Sequence, residues 1–188
     1  MRWTQALMRE VAREERAALG LGPRDPFDPY LLCKEHGIAV YPVSTLDDQG
    51  CVAAVAHFLN GRSRAWSAAL VPLGSARIII ENDSHSWVRR RSTLAHELGH
   101  HLLEHTFSDV VMAEDHTRQF DNTQEKQATF LAGELLIPLE AAERMAFDDW
   151  DNARVAAAYE VSEQFAQMQM YGQRVRASRA TAKLSTRR

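Results

Sequence analysis

The chain has 188 residues and a mass of 21.2 kDa, room for one domain with a full hydrophobic core and little more. Its 45% hydrophobic and 25% charged residues exclude a disordered chain. Its longest apolar runs, Ile78 to Ile80 and Leu135 to Ile137, fall far short of the roughly 20 residues of a membrane span. A net charge of −3 gives no general affinity for polyanions, and two cysteines, Cys33 and Cys51, make no disulfide framework. The start Met1-Arg2-Trp3 lacks the layout of a secretory signal, so a reducing cytoplasm is the expected setting.

Taken in chain order, Trp3 to Leu19 carries apolar residues at helical spacing and is stopped by Gly20 and Gly22. Pro23, Pro26 and Pro29 mark a turn-rich entry, with Asp28 as N-cap of a short helix through Lys34. From Gly37 the texture becomes β: Ile38 to Pro42, Val52 to Leu59, Ala65 to Val71 and Ala76 to Ile80 are short apolar runs. Asp47 to Gly50, Asn60-Gly61 and Pro72 to Gly74 separate them, and Asn60-Gly61 reads as a hairpin turn. A small, mostly antiparallel sheet of three or four strands follows from this. After Asn82 the pattern is helical: Ser86 to His105, Asn122 to Leu136 ending before Pro138, then 139–147, 151–158 and 162–172. Residues 106–121 read as a loop. The fold class is α+β, with one domain over 1–172 and a basic, flexible tail over 173–188. That tail matters to the charge: residues 164–188 hold 6 basic and no acidic side chains, against 16 basic and 25 acidic before them.

Four of eight histidines (His96, His100, His101, His105) fall within ten residues. His96-Glu97-Leu98-Gly99-His100 is an HExxH motif inside the strongest helical pattern of the chain. On a helix His96 and His100 sit one turn apart, so both imidazoles reach one metal ion. Glu97, rotated by about 100°, lies at the rim of that face, placed to take a proton from an activated water. Two imidazoles and a carboxylate with one position left for water suit zinc. Chance gives the pentapeptide in roughly 0.02 sequences of this composition, so context must add weight. It does: Gly99 stands where Ala would favour the helix by about 1 kcal/mol, which makes sense if another backbone passes close by.

His105 and His116 are the nearest rivals for the third ligand. An HExxHxxGxxH site would need Gly at 103 and His at 106, where this chain has Leu103 and Thr106. Glu125 is the better candidate, on the helix that follows, with Thr129 one turn later able to bond a ligand histidine. Glu134 is turned by about 180° from Glu125 on that helix, toward solvent or an arginine. His101, His85 and His105 read as surface or supporting groups rather than ligands.

Arg89-Arg90-Arg91-Ser92-Thr93-Leu94-Ala95-His96-Glu97-Leu98-Gly99-His100, with Glu125-Lys126-Gln127-Ala128-Thr129-Phe130-Leu131-Ala132-Gly133-Glu134-Leu135-Leu136-Ile137-Pro138, resembles the ImmA/IrrE metallopeptidases. Their pattern is R-x-R-F-T-L-A-H-E-L-G-H, then E-x-E-A-N-x-F-A-A-E-L-L-M-P. The resemblance runs over about residues 25–172, with Ser92 in place of Phe, Gln127 in place of the second Glu and Thr129 in place of Asn. It implies a cytoplasmic zinc endopeptidase with His96, His100 and Glu125 on the metal and Glu97 as general base. The implied substrate is a partner helix-turn-helix repressor whose cleavage switches on a stress, mobile-element or antiviral operon. A single-stranded DNA activator, if there is one, has the basic tail to bind.

In related zincins the substrate lies along an edge strand; Ala76 to Ile80 is either that edge or a buried central strand. The triplet Arg89 to Arg91 opposes the dipole of its helix and needs an acid such as Glu81 or Asp83. Tyr159, His116 and Arg118 are all chemically able to stabilise an oxyanion. Cys33 and Cys51 are either buried small residues or a thiolate switch on the metal. Two other functions stay open: a non-catalytic anti-repressor with structural zinc, and a hydrolase of non-peptide amides.

Overall fold

The structure, a computed structural model, describes residues 2–48, 50–61, 66–105 and 121–185. Helix α1 (Gln5–Ala18) is capped by Thr4, whose hydroxyl accepts from the Leu7 N–H, and turns Met8, Ala12 and Arg16 inward. Helix α2 (Pro29–Glu35) starts where expected, with the Asp28 carboxylate accepting from the Tyr30 N–H at 2.9 Å. Strands β1 (Ala39–Pro42), β2 (Ala68–Leu73) and β3 (Ala76–Glu81) form one sheet in the order β1-β3-β2. β2 and β3 make a hairpin about Gly74, whose φ of +61° is left-handed. β1 runs parallel to β3.

Helix α4 (Trp87–Leu102) packs on β2 and β3, and α5 (Asn122–Leu136) packs along α4. Helix α1 lies against α5, while α6 (Leu139–Phe147) and α7 (Asn152–Tyr159) both pack on α8 (Glu163–Ser185). One core joins these layers, with Phe27, Leu32, Ile79, Leu94, Leu98 and Leu131 fully inside. The class is α+β as expected. Among the described residues no helix is long and apolar enough to cross a membrane.

Three expectations change, and the sheet, of three strands within the expected number, carries one parallel pairing. Val52 to Leu59 is not a strand but helix α3 (Val52–Ala56) followed by a π-helical turn at His57–Gly61. Four of its eight residues are Ala or Leu, and a short apolar run does not by itself tell strand from helix. The Asn60-Gly61 hairpin goes with it, since the residues leading directly into that pair are helical. The sheet has three strands and is mixed, because β1 joins the far side of the β2–β3 hairpin. β3, the segment Ala76 to Ile80, is therefore central, and β2 is an edge. Finally, the basic segment from residue 173 is no loose tail through Ser185: α8 continues across it. Ala166, Met170 and Ala177 hold one buried stripe past Gly172, and Arg174 donates to Asn152 and to the Trp150 carbonyl. Residues 106–120, the expected loop, lie outside the described residues.

Candidate metal centre on helices α4 and α5

Helix α4 is fixed at its start by its three arginines. Arg90 pairs with Glu81, a buried carboxylate at the end of β3 that also accepts from the Tyr30 hydroxyl at 2.8 Å. Arg91 is 2% exposed and donates to the carbonyls of Phe27 and Glu160, with the Glu160 carboxylate 3.1 Å away. Arg89 donates to the Ser67 hydroxyl. The acid expected to offset the triplet is thus Glu81. Asp83 is bound instead to the Ser44 hydroxyl and N–H, which hold its carboxyl below the ordinary range against the opposing effect of burial.

One turn apart on α4, the His96 and His100 Nε2 atoms lie 3.2 Å from each other. Glu125, in the first turn of α5, faces them with one oxygen 3.2 Å from His96 and the other 3.4 Å from His100. These three ligand atoms lie within 4.8 Å of one another, and no other such group occurs among the described residues. Helix α5 is capped by Asp121, which accepts from the Thr123 N–H, and a carboxylate so near a helix N-terminus is electrostatically favoured. Two imidazoles and one carboxylate, converging in this way, are a donor set that fits zinc.

Glycine 99 sets how closely α5 approaches. A Cβ there would stand 2.7 Å from the Ala128 carbonyl oxygen and 2.9 Å from its Cα. The backbone expected to pass close to α4 is therefore that of α5 itself, one turn after Glu125. Thr129 Oγ1 lies 3.4 Å from His96 Nδ1, where the sequence placed it. Glu134, on the opposite side, is buried and accepts from Arg9 at 2.9 Å and from the Leu139 N–H at 3.0 Å.

Glu97 is half-buried on the sheet side of α4, and its carboxylate accepts from the Leu70 N–H of β2 at 3.1 Å. The edge strand thus meets the general-base candidate directly. Ser67 bonds inward to Asn82, so the alternation of the ladder turns Ala68, Leu70 and Pro72 to the outer side of β2.

His101 points away from the trio, 3.2 Å from Arg77 and edge-on to His36; burial lowers its proton affinity. His105 is no surface group. It is buried, bonded to His100 and Gln127, and burial pushes it too below the ordinary imidazole value. The only hint in the sequence was its place in the histidine cluster, since five residues do not bring two side chains together on a helix. Tyr159 is buried and donates to the Pro23 carbonyl at 3.2 Å, which removes it as an oxyanion candidate. His116 and Arg118 lie outside the described residues. Cys33 is buried and its thiol is pushed up to about 12, so it offers no thiolate at neutral pH; Cys51 is exposed at the start of α3.

No curated protein matches the chain. The model of the IrrE N-terminal-like domain does, over residues 33–171, a span that takes in the sheet, the HExxH helix and α5 together. On that match the chain belongs to this family of peptidases.

Proposed function

We propose that the protein is a zinc-dependent endopeptidase that cuts a partner helix-turn-helix repressor and so relieves repression of an operon. The observation that carries the reading is the convergence of His96, His100 and Glu125 beside Glu97. A bound zinc ion supplies Lewis acidity at a carbonyl and lowers the pKa of water. Glu97 takes the proton from the attacking water and hands it to the leaving amine. Its bond from the Leu70 N–H holds its carboxylate against the outer side of β2. A substrate laid extended along the outer side of β2 presents its backbone beside that carboxylate. For a single-stranded DNA activator the proposed surface is the end of α8, where Arg179 and Lys183 are exposed; Arg174 and Arg176 are bonded within the fold.

The test incubates zinc-loaded protein with the repressor encoded beside it. Glu97→Gln is expected to keep its zinc and lose about 10²–10⁴-fold in cleavage rate. Full activity in that variant overturns the mechanism. An intact repressor held in a stable complex, indifferent to Glu97→Gln, marks a stoichiometric anti-repressor instead.

A further inference from the structure

Helix α4 ends in a turn with a non-glycine residue in a left-handed conformation. The Glu104 N–H bonds the His101 carbonyl, the His105 N–H bonds the His100 carbonyl at 3.0 Å, and Glu104 has a φ of 52°. Both bonds of a Schellman ending are present, at the residue where glycine is usual. The turn carries His105 back over His100, ring centroids 5.0 Å apart and nearly perpendicular. His105 Nδ1 then lies 3.0 Å from His100 Nδ1, and His105 Nε2 lies 3.1 Å from Gln127 Oε1. His100 is joined through Nδ1 to α5, while its Nε2 faces His96 and Glu125.

Two Nδ1 atoms at hydrogen-bond distance bond only when one carries a proton and the other does not. Two arrangements of the chain satisfy this. In the first the protons run outward: His100 Nδ1–H donates to His105 Nδ1, and His105 Nε2–H donates to Gln127 Oε1. His100 Nε2 is then a bare lone pair. In the second the Gln127 amide is turned over and donates to His105 Nε2. The proton of His105 then sits on Nδ1 and that of His100 on Nε2, where it blocks ligation. An amide serves either direction, since its oxygen accepts and its nitrogen donates. The structure has the Gln127 oxygen facing His105, which is the first arrangement.

We infer that His105 and Gln127 are positioning residues that hold His100 in its Nδ1-protonated tautomer and so offer Nε2 to a metal. This rests on the reading of His96, His100 and Glu125 as a metal site. Gln127 also stands where the pattern this chain resembles has a glutamate, a group that only accepts. Gln127→Glu therefore fixes the outward direction, and Gln127→Leu leaves the chain without an end.

Metal-free wild type, His105→Phe, Gln127→Leu, Gln127→Glu and Glu125→Ala are each titrated with Zn2+ against a chelating indicator. The His100 tautomer is read in the metal-free proteins by long-range proton–nitrogen NMR. His105→Phe and Gln127→Leu are expected to bind zinc about 10- to 100-fold more weakly, with His100 in mixed tautomers. Gln127→Glu is expected to bind at least as tightly as wild type, with His100 protonated on Nδ1. Lower thermal midpoints with unchanged tautomer and affinity mean that the pair only packs, and overturn the inference. So does a Gln127→Glu protein as weak as Gln127→Leu. Glu125→Ala separates the two readings: no loss of affinity there removes the metal site itself. A loss there with none in His105→Phe removes the positioning role alone. If His105→Phe fails to fold, the two Gln127 variants decide the matter on an intact helix.

Discussion

Glu104 sits in a left-handed conformation that only glycine adopts without strain. Its side chain is exposed, so glycine there loses no packing. Glu104→Gly is expected to stabilise the fold by about 0.5–1 kcal/mol, read as a rise of about 2–4 °C in thermal midpoint per kcal/mol. A fall in the midpoint would mean that Glu104 holds more than its turn. The cysteines differ as sharply. Cys51 should react with an alkylating reagent in the folded protein, while Cys33, 1% exposed and kept protonated, should react only on unfolding. Mass spectrometry of the singly labelled protein checks this, and early labelling of Cys33 would contradict the packing around α2. At this scale residue type and spacing were enough to group His96, His100 and Glu125, and the three side chains do converge. For His105 the sequence left two readings, surface or supporting, and the structure shows the second. Composition could not choose, because a left-handed glutamate cannot be seen in it and without that turn His105 has no reason to meet His100.

Helices α4 and α5 were legible to within a few residues. Their apolar period is long, Pro138 ends the second, and Gly99 announced a close approach that the Ala128 backbone fulfils. Gly99→Ala is the sharpest test of that contact. Its methyl group meets backbone rather than a movable side chain, so α5 must shift. The expected loss is about 1–3 kcal/mol in unfolding free energy. Because Glu125 rides on the displaced helix, zinc affinity should fall with it. Lost stability with unchanged affinity would show that α5 pivots without carrying Glu125 away. The sheet was less legible. Val52 to Leu59 is too short to declare its period, and nothing local announces that β1 pairs in parallel with a strand reached only after α3 and β2.

Across the whole molecule, charge separates more than the net value suggests, with every side chain of the last 25 residues neutral or basic. The basic run was read as loose because it lacks acids, yet its apolar residues keep helical spacing, and burial rather than charge decides its state. Ala177 is buried, Arg174 ties α8 to the α6–α7 junction, and Arg176 lies 3.1 Å from Glu143. A chain ended at residue 172 is therefore expected to unfold several degrees lower than the full protein, as about 1–2 kcal/mol of packing is lost. An unchanged thermal midpoint would restore the picture of a dispensable tail.

The outer side of β2 has one more consequence. A bare sheet edge invites strands from other copies of the same chain, and long runs of unused N–H groups are what lets such stacks grow. Here Pro72 has no N–H to give, and that of Leu70 is already held by Glu97. An approaching strand must displace a carboxylate before it can pair there, and it meets a proline two residues on. The edge is thereby guarded against indefinite polymerisation, and a single extended segment can pair with it at Leu70 only by taking that N–H from Glu97.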